Sequence, residues 1–161
     1  MTTVEKGATS ISECVCTIGY YMSGSFCHPC STGYTTASVG ATSNSQCVCD
    51  IGFYKNDVGS CTQCPSGLIT TAVDSVNVLQ CVCDIGYYKT GDGSSCTPCA
   101  ANTTTLTPGA RKTSQCVCAI GYYLDNGSCI KCTTGLTTLS AGAISSTQCG
   151  NTTTILSSSW K

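Results

Sequence analysis

Large apolar side chains are scarce in this sequence, which has two phenylalanines, one tryptophan and no long aliphatic run. A single globular core is therefore not expected. Charge is scarce too: seven Lys and Arg stand against eight Asp and Glu, scattered along the chain, for a net charge of −1. That balance leaves no electrostatic footprint for nucleic acid or an anionic membrane. No stretch approaches the roughly 18 apolar residues that a membrane span needs. No charged segment leads into an apolar one at the start, so no signal peptide is legible. The one histidine, His28, sits between Cys27 and Pro29. With no acid–base pair and no Ser-His-Asp set to accompany it, His28 reads as a surface residue and the chain as a non-enzyme.

What the chain does have is cysteine, 17 in 161 residues. A C-x-C pair stands at Cys14/Cys16, Cys47/Cys49, Cys81/Cys83 and Cys116/Cys118. Each is followed by a C-x-x-C pair, at Cys27/Cys30, Cys61/Cys64, Cys96/Cys99 and Cys129/Cys132, and Cys149 closes the series. This density marks a disulfide scaffold, and lasting bridges need an oxidising compartment. The chain is expected to be secreted or extracellular, at a cell surface or on a surface appendage. A disulfide framework without an export signal further implies a segment of a longer secreted chain.

The first cysteines of the units, at 14, 47, 81, 116 and 149, are spaced by 33, 34, 35 and 33 residues, which is the mark of a repeat array. After each C-x-C comes Ile-Gly-aromatic-Tyr: Ile18-Gly19-Tyr20-Tyr21, Ile51-Gly52-Phe53-Tyr54, Ile85-Gly86-Tyr87-Tyr88 and Ile120-Gly121-Tyr122-Tyr123. Residues 1–13 read as the closing half of a truncated repeat. Repeats then cover 14–46, 47–80, 81–115 and 116–149, with a C-terminal tail over 150–161. From the last Cys of C-x-x-C to the next unit the step is always 17, whereas from C-x-C to C-x-x-C it varies over 11, 12, 13 and 11. The variable stretch carries Asn56-Asp57-Val58-Gly59, Thr90-Gly91-Asp92-Gly93 and Asp125-Asn126-Gly127, which is turn chemistry. It predicts a β-hairpin whose tip tolerates insertion, beside a constant loop packed without slack. The expected fold is small, disulfide-rich and mostly β or irregular: an elongated tandem array of short β-hairpin modules with little or no helix.

Two connectivities fit the arithmetic. One closes each hairpin (Cys16–Cys27, Cys49–Cys61, Cys83–Cys96, Cys118–Cys129) and each constant loop (Cys30–Cys47, Cys64–Cys81, Cys99–Cys116, Cys132–Cys149). It leaves Cys14 unpaired or paired outside the segment. The other crosses the bridges within a unit, as Cys14–Cys27 with Cys16–Cys30, and leaves Cys149 over. The first is preferred because a bridge across the constant loop accounts for its fixed length. Each bridge over a loop of about 15 residues contributes about 3 kcal/mol, more than one small apolar cluster. Paired rings on a strand point to opposite faces, so one is expected to cover the disulfide and the other to meet the next module. C-x-x-C is also a zinc-ligand spacing. The oxidising compartment argues against metal, and no cofactor is expected.

The unit C-x-C-x-x-Gly-Tyr through C-x-x-C to Gly-Ala-Thr-Ser-x-x-x-C resembles the ephrin-receptor-like cysteine-rich repeat. That family is related in style to EGF-like and tumour-necrosis-factor-receptor modules. The resemblance covers residues 2–149. It implies an extracellular module of receptors, adhesion proteins or protist surface proteins. Arrays this uniform and this rich in Thr and Ser are similar to mastigoneme-type filament proteins and ciliate surface antigens. In the EGF-like and receptor-like modules the bridge spanning C-x-x-Gly-Tyr resembles the hairpin pairing above. The calcium-binding EGF variety needs an acidic cluster. Here Asp50 and Asp84 stand alone, with Thr17 and Ala119 in the same place elsewhere, so calcium is not implied.

Three sequons, at Asn102, Asn126 and Asn151, predict N-linked glycans on exposed turns and the tail. The Thr clusters at Thr103, Thr104 and Thr105, at Thr133 and Thr134, and at Thr152, Thr153 and Thr154 are candidates for O-linked sugar. The tail, with Ile155, Leu156 and Trp160, reads as a fraying terminus or as a strand that docks on a neighbouring subunit. Modules that touch only their neighbours build a rod. The expected function is therefore a glycosylated extracellular spacer or filament subunit, associating with itself or with other extracellular structural proteins. The alternative is a ligand-binding ectodomain of a receptor or adhesin. Leu68-Ile69 with Val76-Asn77-Val78-Leu79 discriminates the two: exposure favours binding, and burial against a neighbour favours the rod.

Overall fold

The computed structural model describes residues 2–3, 14–91 and 95–151. Most of the truncated half-repeat, the Thr152, Thr153 and Thr154 cluster and Trp160 lie outside the described residues. The chain divides into two compact units, Met1–Val82 and Cys83–Lys161.

The first unit holds β1 (Thr2–Thr3), β2 (Cys14–Val15), β3 (Tyr20–Ser23), β4 (Phe26–Pro29), β5 (Tyr34–Thr36), β6 (Cys47–Cys49), β7 (Phe53–Lys55), β8 (Cys61–Gln63) and β9 (Leu68–Thr70). Strand β10 (Cys81–Cys83) runs through the boundary. The second unit holds β11 (Tyr87–Lys89), β12 (Cys96–Pro98), β13 (Thr103–Thr104), β14 (Val117–Cys118), β15 (Tyr122–Asp125) and β16 (Ser128–Lys131). Every sheet has two strands, and the registers are antiparallel: β3 with β4, β5 with β6, β7 with β8, β11 with β12, β13 with β14, β15 with β16. Among the described residues no α-helix occurs. The helical pieces are 3-10 turns, Asn44–Gln46, Val78–Gln80, Thr113–Gln115 and Ser146–Gln148.

The variable stretch is the hairpin that the turn residues predict. Asp125 faces Ser128 across Asn126 and Gly127, both at positive φ (47° and 80°), which matches the twist of the flanking strands. In β7–β8 the last facing pair is Lys55 and Cys61, and the longer tip is folded on Asn56. Asn56 Oδ1 accepts the Ser60 amide at 2.9 Å, and its Nδ2 donates to Thr62 Oγ1 at 2.8 Å. Extra length is thus absorbed at the tip while the paired strands keep their register.

The constant loop returns to the hairpin of its own repeat. The Met22 amide donates to the Ala41 carbonyl at 2.8 Å, and Leu124 to Ala143 at 2.8 Å. Lys55 reaches Ser75 and Lys89 reaches Ala110 in the same manner. Before each closing cysteine a glutamine seals the 3-10 turn. Gln46 Oε1 accepts from Thr42 and Ser43 amides, and Gln80, Gln115 and Gln148 repeat the arrangement. Those bonds satisfy backbone donors that a short turn would leave open.

The buried apolar set consists of Cys16, Cys49, Cys64, Cys81, Cys83, Cys118 and Cys132 with Ala41, Ala110 and Ala143. Sulfur and methyl groups fill each interior where ordinary domains place Leu, Ile and Phe. One equivalent threonine joins them in every repeat (Thr35 and Ser75 are buried besides): Thr36, Thr70, Thr105 and Thr138 are all buried. Their hydroxyls accept the amides of Gly19, Gly52, Gly86 and Gly121 at 3.0, 2.8, 3.0 and 3.0 Å. Those glycines turn the chain from C-x-C into the hairpin at φ of 85–87°.

Candidate functional site

The structure brings the cysteines together as Cys16–Cys27, Cys30–Cys47, Cys49–Cys61, Cys64–Cys81, Cys83–Cys96, Cys99–Cys116, Cys118–Cys129 and Cys132–Cys149. Cys14 is a free, half-buried thiol on β2. It faces Thr3 as Cys47 faces Thr36 one repeat later. Among the described residues no cluster of His, Cys, Asp or Glu is arranged to hold a metal ion. His28 is exposed on β4, its ring 6.1 Å from that of Tyr21.

The three sequon asparagines lie on the surface, each in a different setting. Asn102 has φ of 65° and stands where Gly33, Gly67 and Gly135 turn the sibling repeats. Its carbonyl accepts the Ala119 amide at 2.8 Å, so the backbone is fixed and the side chain projects from a tight turn. Asn126 is at the tip of β15–β16, at φ of 47°. Asn151 is the last described residue and is exposed.

The residues that discriminate spacer from receptor fall on the exposed side. Leu79 is 88% exposed, Val76 57% and Val78 43%, while Leu68 and Ile69 on β9 are half-buried. Sequence reasoning passed over a second apolar set: Ile18, Ile51, Ile85 and Ile120, the first residue of each Ile-Gly motif, are all about half exposed. Their fixed place before a left-handed glycine was the available signal.

The rings differ from expectation in one respect. Phe53 lies against the preceding repeat, where a β-carbon on Gly33 would fall 2.8 Å from the ring. On the same side the Tyr34 hydroxyl accepts the Cys61 amide at 3.0 Å. Repeats within the first unit therefore meet through Gly33 and Phe53, and through Tyr34 and β8.

One segment decides what kind of module this is. Residues 48–81 match the family model for tyrosine-protein kinase ephrin type A/B receptor-like repeats. Among curated proteins no relative matches the chain. The matched stretch contains one hairpin bridge, Cys49–Cys61, and one loop bridge, Cys64–Cys81. That stretch is similar to the ephrin-receptor-like cysteine-rich repeat, and the surrounding sequence carries the same cysteine frame. A chain with eight disulfides and such a repeat is of extracellular type. Among the described residues no helix is long and apolar enough to cross a membrane.

Proposed function

We propose that this chain is a non-catalytic, glycosylated structural repeat protein of a cell surface or surface appendage, working as a spacer or filament subunit. One observation carries this reading. The same bridge pair, buried threonine, left-handed glycine and glutamine-sealed turn recur in every repeat, and length variation is confined to the hairpin tips. Equal units with inert interiors serve spacing, whereas a catalytic site needs one unit to break the pattern with convergent titratable groups. Exposed asparagines in tight turns at 102 and 126, and at 151, support N-linked glycans as the solubilising coat of a chain with few charges.

A second reading rests on the second repeat. Val76, Val78 and Leu79 expose apolar surface there, in the repeat that matches the receptor-like family. Exposed apolar side chains in one unit suit a protein ligand. Electron microscopy of the native material separates the two. A repeating filament supports the structural role. A dispersed ectodomain whose binding to a partner is abolished by Leu79→Glu supports the receptor role and sinks the first. Glycans are tested apart, by intact mass before and after peptide-N-glycosidase; an unchanged mass rejects N-linked sugar at all three sites.

A further inference from the structure

We infer that the outer face of the first hairpin, β3–β4, is a binding platform for an uncharged saccharide. Its facing pairs are Tyr20 with Pro29, Tyr21 with His28, Met22 with Cys27 and Ser23 with Phe26. Facing residues share a side of the ribbon, and neighbours along a strand alternate between sides. Tyr21, Ser23, Phe26 and His28 therefore lie on one side, with Met22 and Cys27 on the other. The reverse side is tied down by the Cys16–Cys27 bridge, in which Cys16 is fully buried. On the outer side the Tyr21 and His28 rings are 6.1 Å apart at their centroids and tilted by 32°. Phe26 is 71% exposed, and Ser23 and His28 are exposed with it.

The other hairpins do not carry this surface. Tyr54, Tyr88 and Tyr123 stand where Tyr21 does, but they face Thr62, Thr97 and Ile130 in place of a second ring. Ser60, Ser95 and Ser128 take the place of Phe26. In the second repeat Asn56 Nδ2 donates to Thr62 Oγ1 at 2.8 Å, and in the third the Thr90 and Thr97 hydroxyls are 3.2 Å apart. Those faces satisfy their own polar groups. The repeats thus share their interiors and differ on a hairpin face, where a ligand can reach the difference.

Three features set the chemistry of that ligand. No Asp, Glu, Lys or Arg occurs between Glu13 and Asp50, so the first repeat offers an ionic ligand no charged partner. The rings supply apolar faces, while the Tyr21 hydroxyl, the Ser23 hydroxyl and the His28 imidazole supply hydrogen-bonding edges. A pyranose matches both, with C–H groups that pack on an aromatic face and hydroxyls that reach the edges. The third feature is size. Each strand has four residues, far short of the roughly 800 Å² per partner of a stable protein interface. Such a span suits a short run of sugar rings. One platform binds weakly, and many copies on one surface bind together. The inference goes beyond the spacer reading and does not depend on it.

The test is aromatic carbon–proton NMR of the full, oxidised chain titrated to millimolar cellohexaose or maltohexaose, with hexagalacturonate as the charged control. A neutral probe should shift the Tyr21, Phe26 and His28 signals together, and hexagalacturonate should leave them in place. Phe26→Ala removes an exposed ring and should weaken binding about tenfold. His28→Ala should act in the same direction, whereas Tyr21→Phe should keep most of the affinity. Leu79→Glu, on the second repeat, should leave it unchanged. The Met22 amide, bonded to the Ala41 carbonyl at 2.8 Å, reports by its exchange rate that the hairpin stays folded in each variant. If neither neutral probe moves the three rings, the proposal is overturned, and binding that Phe26→Ala leaves intact overturns it as well. Equal shifts with hexagalacturonate would overturn the choice of an uncharged ligand. Ring shifts that follow chain concentration without any saccharide would mean that a second copy covers the face, and the saccharide assignment would fail.

Discussion

The Thr70 hydroxyl accepts the Gly52 amide at 2.8 Å and faces the Phe53 carbonyl at 3.4 Å, with no part of Thr70 exposed. One hydroxyl thus serves a donor and an acceptor at the turn that launches the hairpin. Thr70→Val keeps the shape and removes both partners, leaving a buried amide unpaired. The expected loss is about 1–3 kcal/mol. Thr70→Ser should recover most of it. Hydrogen exchange gives the local readout: the Gly52 amide should exchange faster in Thr70→Val, and an unchanged rate would remove the hydrogen bond from the account.

Gly33 has φ of 81°, and its missing side chain is the space that Phe53 occupies. Gly33→Ala meets two obstacles, a left-handed backbone and an aromatic ring within 2.8 Å. The expected destabilisation is about 1–3 kcal/mol, in the range of overpacking. Phe53→Ala in the same chain should relieve the steric part and leave the backbone part. Denaturant unfolding of the oxidised variants distinguishes them; equal losses for the single and double variants would mean that the ring does not set the joint.

Much of this was legible in the sequence because the constraints are local. Cysteine spacing marks the loops that bridges close, and Asn126-Gly127 names its own turn, since few other residues tolerate positive φ at both positions. The buried threonines were not singled out for this role, and Thr105, read as a candidate for O-linked sugar, is instead 2% exposed with its hydroxyl accepting the Gly86 amide. Threonine is abundant here and usually a surface residue, so Thr36, Thr70, Thr105 and Thr138 looked like their neighbours. Their signal was a constant offset of six from the last Cys of each C-x-x-C, at 30, 64, 99 and 132. The expectation that a fixed 17-residue step reflects its disulfide was incomplete, because Gln46, Gln80, Gln115 and Gln148 hold the same loops by hydrogen bonds. How repeats meet was legible only in part: a ring was expected at the joint, but Phe53 lies against Gly33 of the repeat before it. Within single repeats, Val15 meets Gly40 and Val117 meets Gly142 although the pairs are remote along the chain, and neither residue type announces a contact.

Asp74 is the second repeat's departure from the Gly that opens the same stretch in its siblings. It sits at φ of 59°, where Gly40, Gly109 and Gly142 have 82°, 84° and 86°. Its amide donates to the Cys49 carbonyl at 2.7 Å, so the conformation is imposed by the loop. The only visible compensation is an ion pair with Lys55 at 3.5 Å, and both side chains are more than 40% exposed. Such pairs contribute little. Asp74→Gly is therefore expected to stabilise the repeat by about 0.5 kcal/mol, the left-handed strain outweighing the pair and the added unfolded-chain freedom. Lys55→Ala should be nearly neutral. A clear loss of stability in Asp74→Gly would show that the carboxylate contributes more than its exposure suggests.

The crossed and the loop-closing bridge schemes differ in what links neighbouring repeats. In the loop-closing scheme Cys99 joins Cys116, so each constant loop is tied to the head of the next repeat. Removing that bridge by a Cys99→Ala, Cys116→Ala double substitution frees a loop across a separation of 17 residues, and is expected to cost about 3 kcal/mol. The hairpin bridge Cys83–Cys96 should survive the change, because it ties the end of β10 to the start of β12 and does not close the constant loop. Proteolysis between the cysteines of the oxidised native chain, followed by non-reducing mass mapping, should yield a peptide pair containing Cys99 and Cys116. A Cys83–Cys99 pair instead would overturn this connectivity. It would also leave the fixed length of the constant loop to the glutamine-sealed turn alone.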